Sequence, residues 1–90
     1  MITVDIMEQH DLWELYMQCV DGVLDSMKQH GVKYGMTNDD RLAYHNQIQG
    51  VLNVAIHDSR VNTETYTDIL EYAMGMQDVV WDWTPTVRKR

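Results

Sequence analysis

From Trp13 to Met27 the large apolar residues return at Met17, Val20 and Leu24, in steps of 4, 3, 4 and 3. That period stacks side chains on one face of an α-helix and is incompatible with the two-residue alternation of a strand. A first helix is predicted from about Asp5 or Asp11 to His30, with Gly31 placed to stop it. Leu12, Cys19 and Val23 widen the apolar arc to almost half the circumference, which suits contact with more than one neighbouring helix. In that arc Cys19 reads as a small buried apolar residue.

Two further helices follow from the same reasoning. Residues 31–38, GVKYGMTN, hold two glycines and read as a loop. Thr37 followed by Asp40 fits a capping box, and a second helix is expected from about Asp39 to His57. Its apolar face is read as Leu42, His45, Ile48, Leu52, Ala55 and Ile56. After a short connection, DSRVN, Asn62 or Thr63 can cap a third helix. That helix carries Tyr66, Ile69, Leu70, Ala73, Met76 and Val80 on one side.

The chain ends are less determined. ITVDI alternates like a short strand, and a strand over residues 79–83 would put Val79, Trp81 and Trp83 on one face. The fold class is therefore mainly α, a three-helix domain, with a short two-stranded pairing of the N- and C-terminal segments as an alternative ending. Ninety residues make one domain. Residues 1–84 form the helical unit and 85–90 a basic tail that begins at Pro85. A core of this size leaves little surplus stability, so self-association is a natural supplement.

Charge narrows the range of partners. The formal net charge is −7. Setting aside Arg88, Lys89 and Arg90 leaves four basic residues against 14 acidic ones, a balance of −10 for the body. Such a body repels nucleic acid and anionic lipid and favours a basic protein surface. No apolar run approaches the roughly 18 residues of a membrane span. One cysteine, with no signal-peptide pattern at the start, fits a cytoplasmic protein.

The acids are ordered. Asp11, Glu14, Asp21 and Asp25 form one stripe on the first helix. Glu64, Asp68, Glu71, Asp78 and Asp82 form another on the third. Neither stripe contains Lys or Arg, so the i,i+4 ion pairs that usually support an exposed helix are missing. The second helix is the opposite case. No Asp, Glu, Lys or Arg falls in residues 42–57, LAYHNQIQGVLNVAIH. Its polar side offers Asn46, Gln47, Gly50, Asn53 and His57. Charged residues are depleted at the centres of protein interfaces, so these positions are expected to meet a second chain. Trp83 beside Pro85 is a further candidate anchor, since Trp is enriched among interface hot spots.

Catalytic chemistry finds little footing. His10 and Glu14 stand at i,i+4 and can share a face, but a zinc site needs three or four ligands. Cys19 has no nearby cation to lower its pKa, and the chain has no Gly-rich phosphate loop, EF-hand loop or CxxC pair. Asp39 and Asp40 fit the N-terminus of the second helix, where the dipole favours anions.

The expectation is a non-catalytic protein, without cofactor or metal, that binds and regulates or inhibits another protein with a basic surface, as a homodimer. In style it resembles small inhibitors that phages and mobile elements encode against host systems. One alternative is a nucleic-acid mimic that inhibits a DNA- or RNA-binding enzyme. A single stripe of four charges over about 21 Å is sparse beside the roughly twelve of duplex DNA. A structural component of a larger assembly is another alternative.

Overall fold

The computed structural model describes residues 6–85, with side chains from Glu8 onward. Three helices account for nearly all of it: α1 Ile6–Tyr34, α2 Asn38–Ile56 and α3 Thr63–Asp82. Tyr16 near the start of α1 meets Asp58 just after α2, while His30 near its end meets Asp40. α1 and α2 are thus antiparallel. α3 returns parallel to α1, as Gln9 meets Asn62, Asp21 meets Tyr72 and Gly31 meets Trp83.

The core is the meeting of three apolar faces. Tyr16, Val20, Leu24 and Met27 from α1 pack with Ile48, Leu52 and Ala55 from α2 and Ile69, Ala73 and Val80 from α3. Burial of these faces, rather than helix propensity, holds helices of this length in place.

Capping sets the helix boundaries. Thr37 caps α2 with the reciprocal bonds of a capping box: its hydroxyl accepts from Asp40 N–H, and Asp40 accepts from Thr37 N–H. Asn62 caps α3 by accepting from Thr65 N–H at 2.8 Å. Gln9 secures the α2–α3 turn from α1. Its side chain donates to the Arg60 carbonyl at 2.7 Å and accepts from Asn62 N–H at 3.0 Å.

Four expectations are corrected. Gly31 does not stop α1. The helix runs to Tyr34 and ends at Gly35, whose φ of 82° is the left-handed turn that glycine enters at no steric cost. Gly31 instead gives its bare Cα to the Trp83 ring. Residues 79–82 remain helical, which removes the strand over 79–83, while ITVDI up to Asp5 lies outside the described residues. Cys19 is exposed, because the buried arc of Leu12, Tyr16, Val20, Leu24 and Met27 passes it by. Leu42 and Ile56 lie outside the α2 core face, which centres on Ile48, Leu52 and Ala55.

Candidate functional site

The three-helix arrangement sorts the surface into flanks of different character. On the α1/α3 flank, the Tyr72 hydroxyl of α3 donates to the Asp21 carboxylate of α1. That bond fixes how the two acidic stripes relate. Glu14 and Asp25 lie two turns before and one turn after Asp21, on its side of α1. On α3, Asp68 lies one turn before Tyr72 on nearly the same side, while Glu71 and Asp78 stand about 100–120° round the helix from it. Because the helices are parallel, the stripes run side by side. The α1 stripe (Asp11, Glu14, Asp21 and Asp25) and the α3 stripe (Glu64, Asp68, Glu71, Asp78 and Asp82) therefore run parallel on neighbouring helices, linked at Tyr72–Asp21 and each centred on the outward side of its own helix.

Seven of these nine residues are exposed, while Glu14 and Asp21 are partly covered. Glu14 pairs with His10 at 3.0 Å. α3 has no basic residue, and Lys28 is the base that α1 carries beside the stripe. Bonding to Asp21, followed by burial, raises the Tyr72 hydroxyl pKa to about 12. Asp21 thus has a structural task in addition to its place in the stripe. Over the roughly 27 Å from Glu64 to Asp82, duplex DNA would carry about 16 charges; this face carries more than half as many.

The α2/α3 flank is apolar and, along its middle, uncharged. His45 and Gln49 point toward α3: the Trp81 indole N–H donates to His45 Nδ1 at 3.3 Å, and the Gln77 amide donates to Gln49 Oε1 at 3.3 Å. Leu42 and Ile56 lie seven residues either side of Gln49, on the same stripe. On α3, Met74 stands seven residues before Trp81. These four are among the large apolar residues left exposed, with Leu42 at 49%, Ile56 at 58%, Met74 at 54% and Trp81 at 43%. At the turn end of this flank lies an open hollow of about 150 Å³, lined by Ala55, Ile56, Val61, Asn62, Thr63 and Tyr66.

Asn46, Gly50, Asn53 and His57 are all exposed on the outer side of α2. In the isolated chain they face solvent, so the expectation of a second covered side concerns an assembly. His57 turns its Nδ1 back to the Asn53 carbonyl at 2.8 Å. Trp83 is less available than its position suggested: it is half-buried, with its ring against Gly31 and Met36. The sequence reading missed Met74 and Trp81 as surface residues and placed Leu42 and Ile56 inward. The exposure of all four reflects where α2 and α3 meet, which periodicity within one helix does not encode.

Two polar clusters hold this geometry without offering a reaction centre. Tyr16 donates to Asp58 at 2.6 Å, and Asp58 also accepts two side-chain bonds and one backbone bond from Arg60. Those bonds hold the Asp58 carboxyl well below the usual carboxylate range, the Arg60 side-chain bonds contributing most. Arg41 donates from one guanidinium nitrogen to the carbonyls of Val80, Trp81 and Trp83, at 2.7, 3.2 and 2.7 Å. It closes the end of α3 as a side-chain cap. Among the described residues, no group of three or more His, Cys, Asp or Glu side chains is placed to hold a metal ion. No described helix is long and apolar enough to cross a membrane.

No protein-family model matches the chain, and neither a curated protein nor a solved structure matches it.

Proposed function

We propose that this is a non-catalytic protein that binds a basic surface on another protein and regulates or blocks it, working as a homodimer. The observation that carries the reading is that the two acidic stripes run parallel on neighbouring helices, linked by the bond from Tyr72 to Asp21. Two parallel rows of carboxylates, with no base on α3 and Lys28 beside the α1 row, make a directional field, which raises association rates with a basic partner and falls with salt. Small phage or mobile-element inhibitors of host systems are one setting for such a molecule.

The test is capture from native lysate by the wild-type chain and by a variant carrying Asp25→Lys and Glu71→Lys. Both residues are exposed and neither holds Tyr72, unlike Asp21. A specific partner should be retained by the wild type at low salt and lost both at high salt and with the variant. Identical retention by both proteins at every salt concentration would refute the reading.

The nucleic-acid mimic is a second reading favoured by the same arrangement, since two parallel stripes approach duplex charge density more closely than one. Competition separates the two. Displacement of the captured partner by duplex DNA marks a mimic, and retention marks a protein-specific contact.

A further inference from the structure

We propose that the α2/α3 flank is an isologous interface, occupied by a second copy of this chain whose helices run antiparallel across a two-fold axis at the level of Gln49 and Met74. The proposal rests on the homodimer part of the reading above and names its surface and geometry. Three observations support a second copy.

The first is charge. A chain of net charge −7 repels its own copy on most approaches. The stretch of α2 on this flank has no charged residue, and α3 contributes Thr63, Tyr66, Thr67, Leu70, Met74 and Trp81. Asp78 stands at the border with the acidic face. Arg41, at the far end, has its guanidinium engaged by the α3 carbonyls. Pairing two such flanks keeps the α1 acids on the far sides of the dimer and leaves Glu71 and Asp78 at its solvated rim. The α1/α2 side is also sparse in charge, but among the described residues the exposed large apolar groups along its middle are Leu15 and Val54.

The second is symmetry. Leu42 and Ile56 lie equally far from Gln49 along α2, and Trp81 and Thr67 lie equally far from Met74 along α3. A two-fold axis crosswise to the helices at that level sets Gln49 against Gln49 and Met74 against Met74. It also carries the Leu42 and Trp81 end of each copy over the other's Ile56 end. That end holds the 150 Å³ hollow lined by Ala55, Val61 and Tyr66. A cavity of that volume admits a benzene-sized group. The protruding apolar end and the hollow end are thus brought together twice by one operation, as an isologous contact requires.

The third is size. The flank is about 28 Å long and two helices wide. That projects to roughly 500 Å² per partner, which lies within the range of weaker interfaces, and its composition matches the uncharged, aromatic- and Met-bearing centre of one.

The experiment measures the solution mass of the full chain over a concentration series. The wild type should move from 10.6 kDa toward twice that mass as concentration rises. Met74→Lys brings the net charge closer to zero, which by itself would favour association, yet it places a charge at the centre of the flank. It should weaken the dimer about tenfold or more while helicity is unchanged. Geometry is read by oxidation in a Cys19→Ser background. Gln49→Cys should give a covalent dimer. Leu42→Cys should not, because its two copies stand about 21 Å apart. A wild type that stays monomeric throughout overturns the proposal and leaves the salt-dependent capture of a basic partner to be judged separately. A dimer that Met74→Lys leaves intact, or one that cross-links through native Cys19, overturns it in favour of another flank.

Discussion

The Trp83 ring lies so close to Gly31 that a Cβ on the glycine would stand 2.6 Å from ring atom Cζ3. The end of α3 is thereby clamped onto α1. The Trp83 backbone is held as well, since its N–H donates to the Val79 carbonyl and its carbonyl accepts from Arg41. With the backbone held at both ends, the indole can yield to a Cβ only by turning about its own side-chain torsions.

Two alanine substitutions should therefore have opposite effects. Nothing lies within 4 Å of a Cβ on Gly22, which is in the interior of α1. Gly22→Ala should raise stability by up to about 1 kcal/mol through helix propensity. Gly31→Ala gains the same propensity but meets the indole, and overpacking costs about 1–3 kcal/mol. It should lower the melting temperature and shift tryptophan fluorescence. Thermal melts of the two variants under one buffer condition check the pair; a stabilised Gly31→Ala would refute the clamp.

Gly31 also shows what the sequence could and could not disclose. The three helices, the Thr37–Asp40 box and the Asn62 cap were legible because each depends on residues a few positions apart. The role of Gly31 is not local, because its partner is Trp83, far along the chain. The outward setting of Leu42 and Ile56 is non-local in the same way. Periodicity locates an apolar arc, but only the neighbouring helices decide which edge of it is covered. The acidic stripes were legible one at a time. Their running parallel on neighbouring helices depends on α1 and α3 being parallel and rotated so that Tyr72 reaches Asp21.

Arg41 offers a second test of the α3 end. Arg41→Met keeps much of the aliphatic stem but leaves the Val80, Trp81 and Trp83 carbonyls without their donor. Hydrogen bonds from a charged donor contribute about 1.5–3 kcal/mol, and these are partly exposed, so a loss near 1 kcal/mol is expected. Amide exchange should accelerate over residues 79–83 and remain unchanged in the α2–α3 turn. Uniform acceleration across the chain would mean that Arg41 acts on global stability instead.

The Tyr16–Asp58 bond predicts limits of stability at both ends of the pH scale. Burial, then the Asp58 carboxylate, raises the Tyr16 hydroxyl to about 12 from an ordinary 10.0. A raised folded-state pKa contributes stability that is complete below 10 and lost as pH climbs toward 12. Asp58 is depressed from 3.8, so its contribution is complete above that value and lost as pH falls below it. Tyr16→Phe should cost about 1–2 kcal/mol at neutral pH and flatten the alkaline decline. Denaturant midpoints measured across pH check both limbs. An alkaline slope unchanged in Tyr16→Phe would assign the decline to Tyr72, whose hydroxyl is likewise raised to about 12.

The acidic seam should weaken the fold that carries it. Glu64 and Asp68, and Asp78 and Asp82, are like-charged pairs at i,i+4 on α3, and α3 has no base to offset them. Each pair costs a few tenths of a kcal/mol at low ionic strength. Asp78→Lys turns one repulsion into an attraction and should raise the melting temperature in low salt. Salt should stabilise the wild type more than the variant, because screening removes repulsion in one and attraction in the other. The same substitution should slow association with a basic partner. Opposite movements of stability and association rate in one variant are what a face retained for recognition requires, and melts at two ionic strengths beside binding kinetics would measure both. If Asp78→Lys left the melting temperature unchanged at low salt, the carboxylates would be too far apart or too well solvated to act as one field.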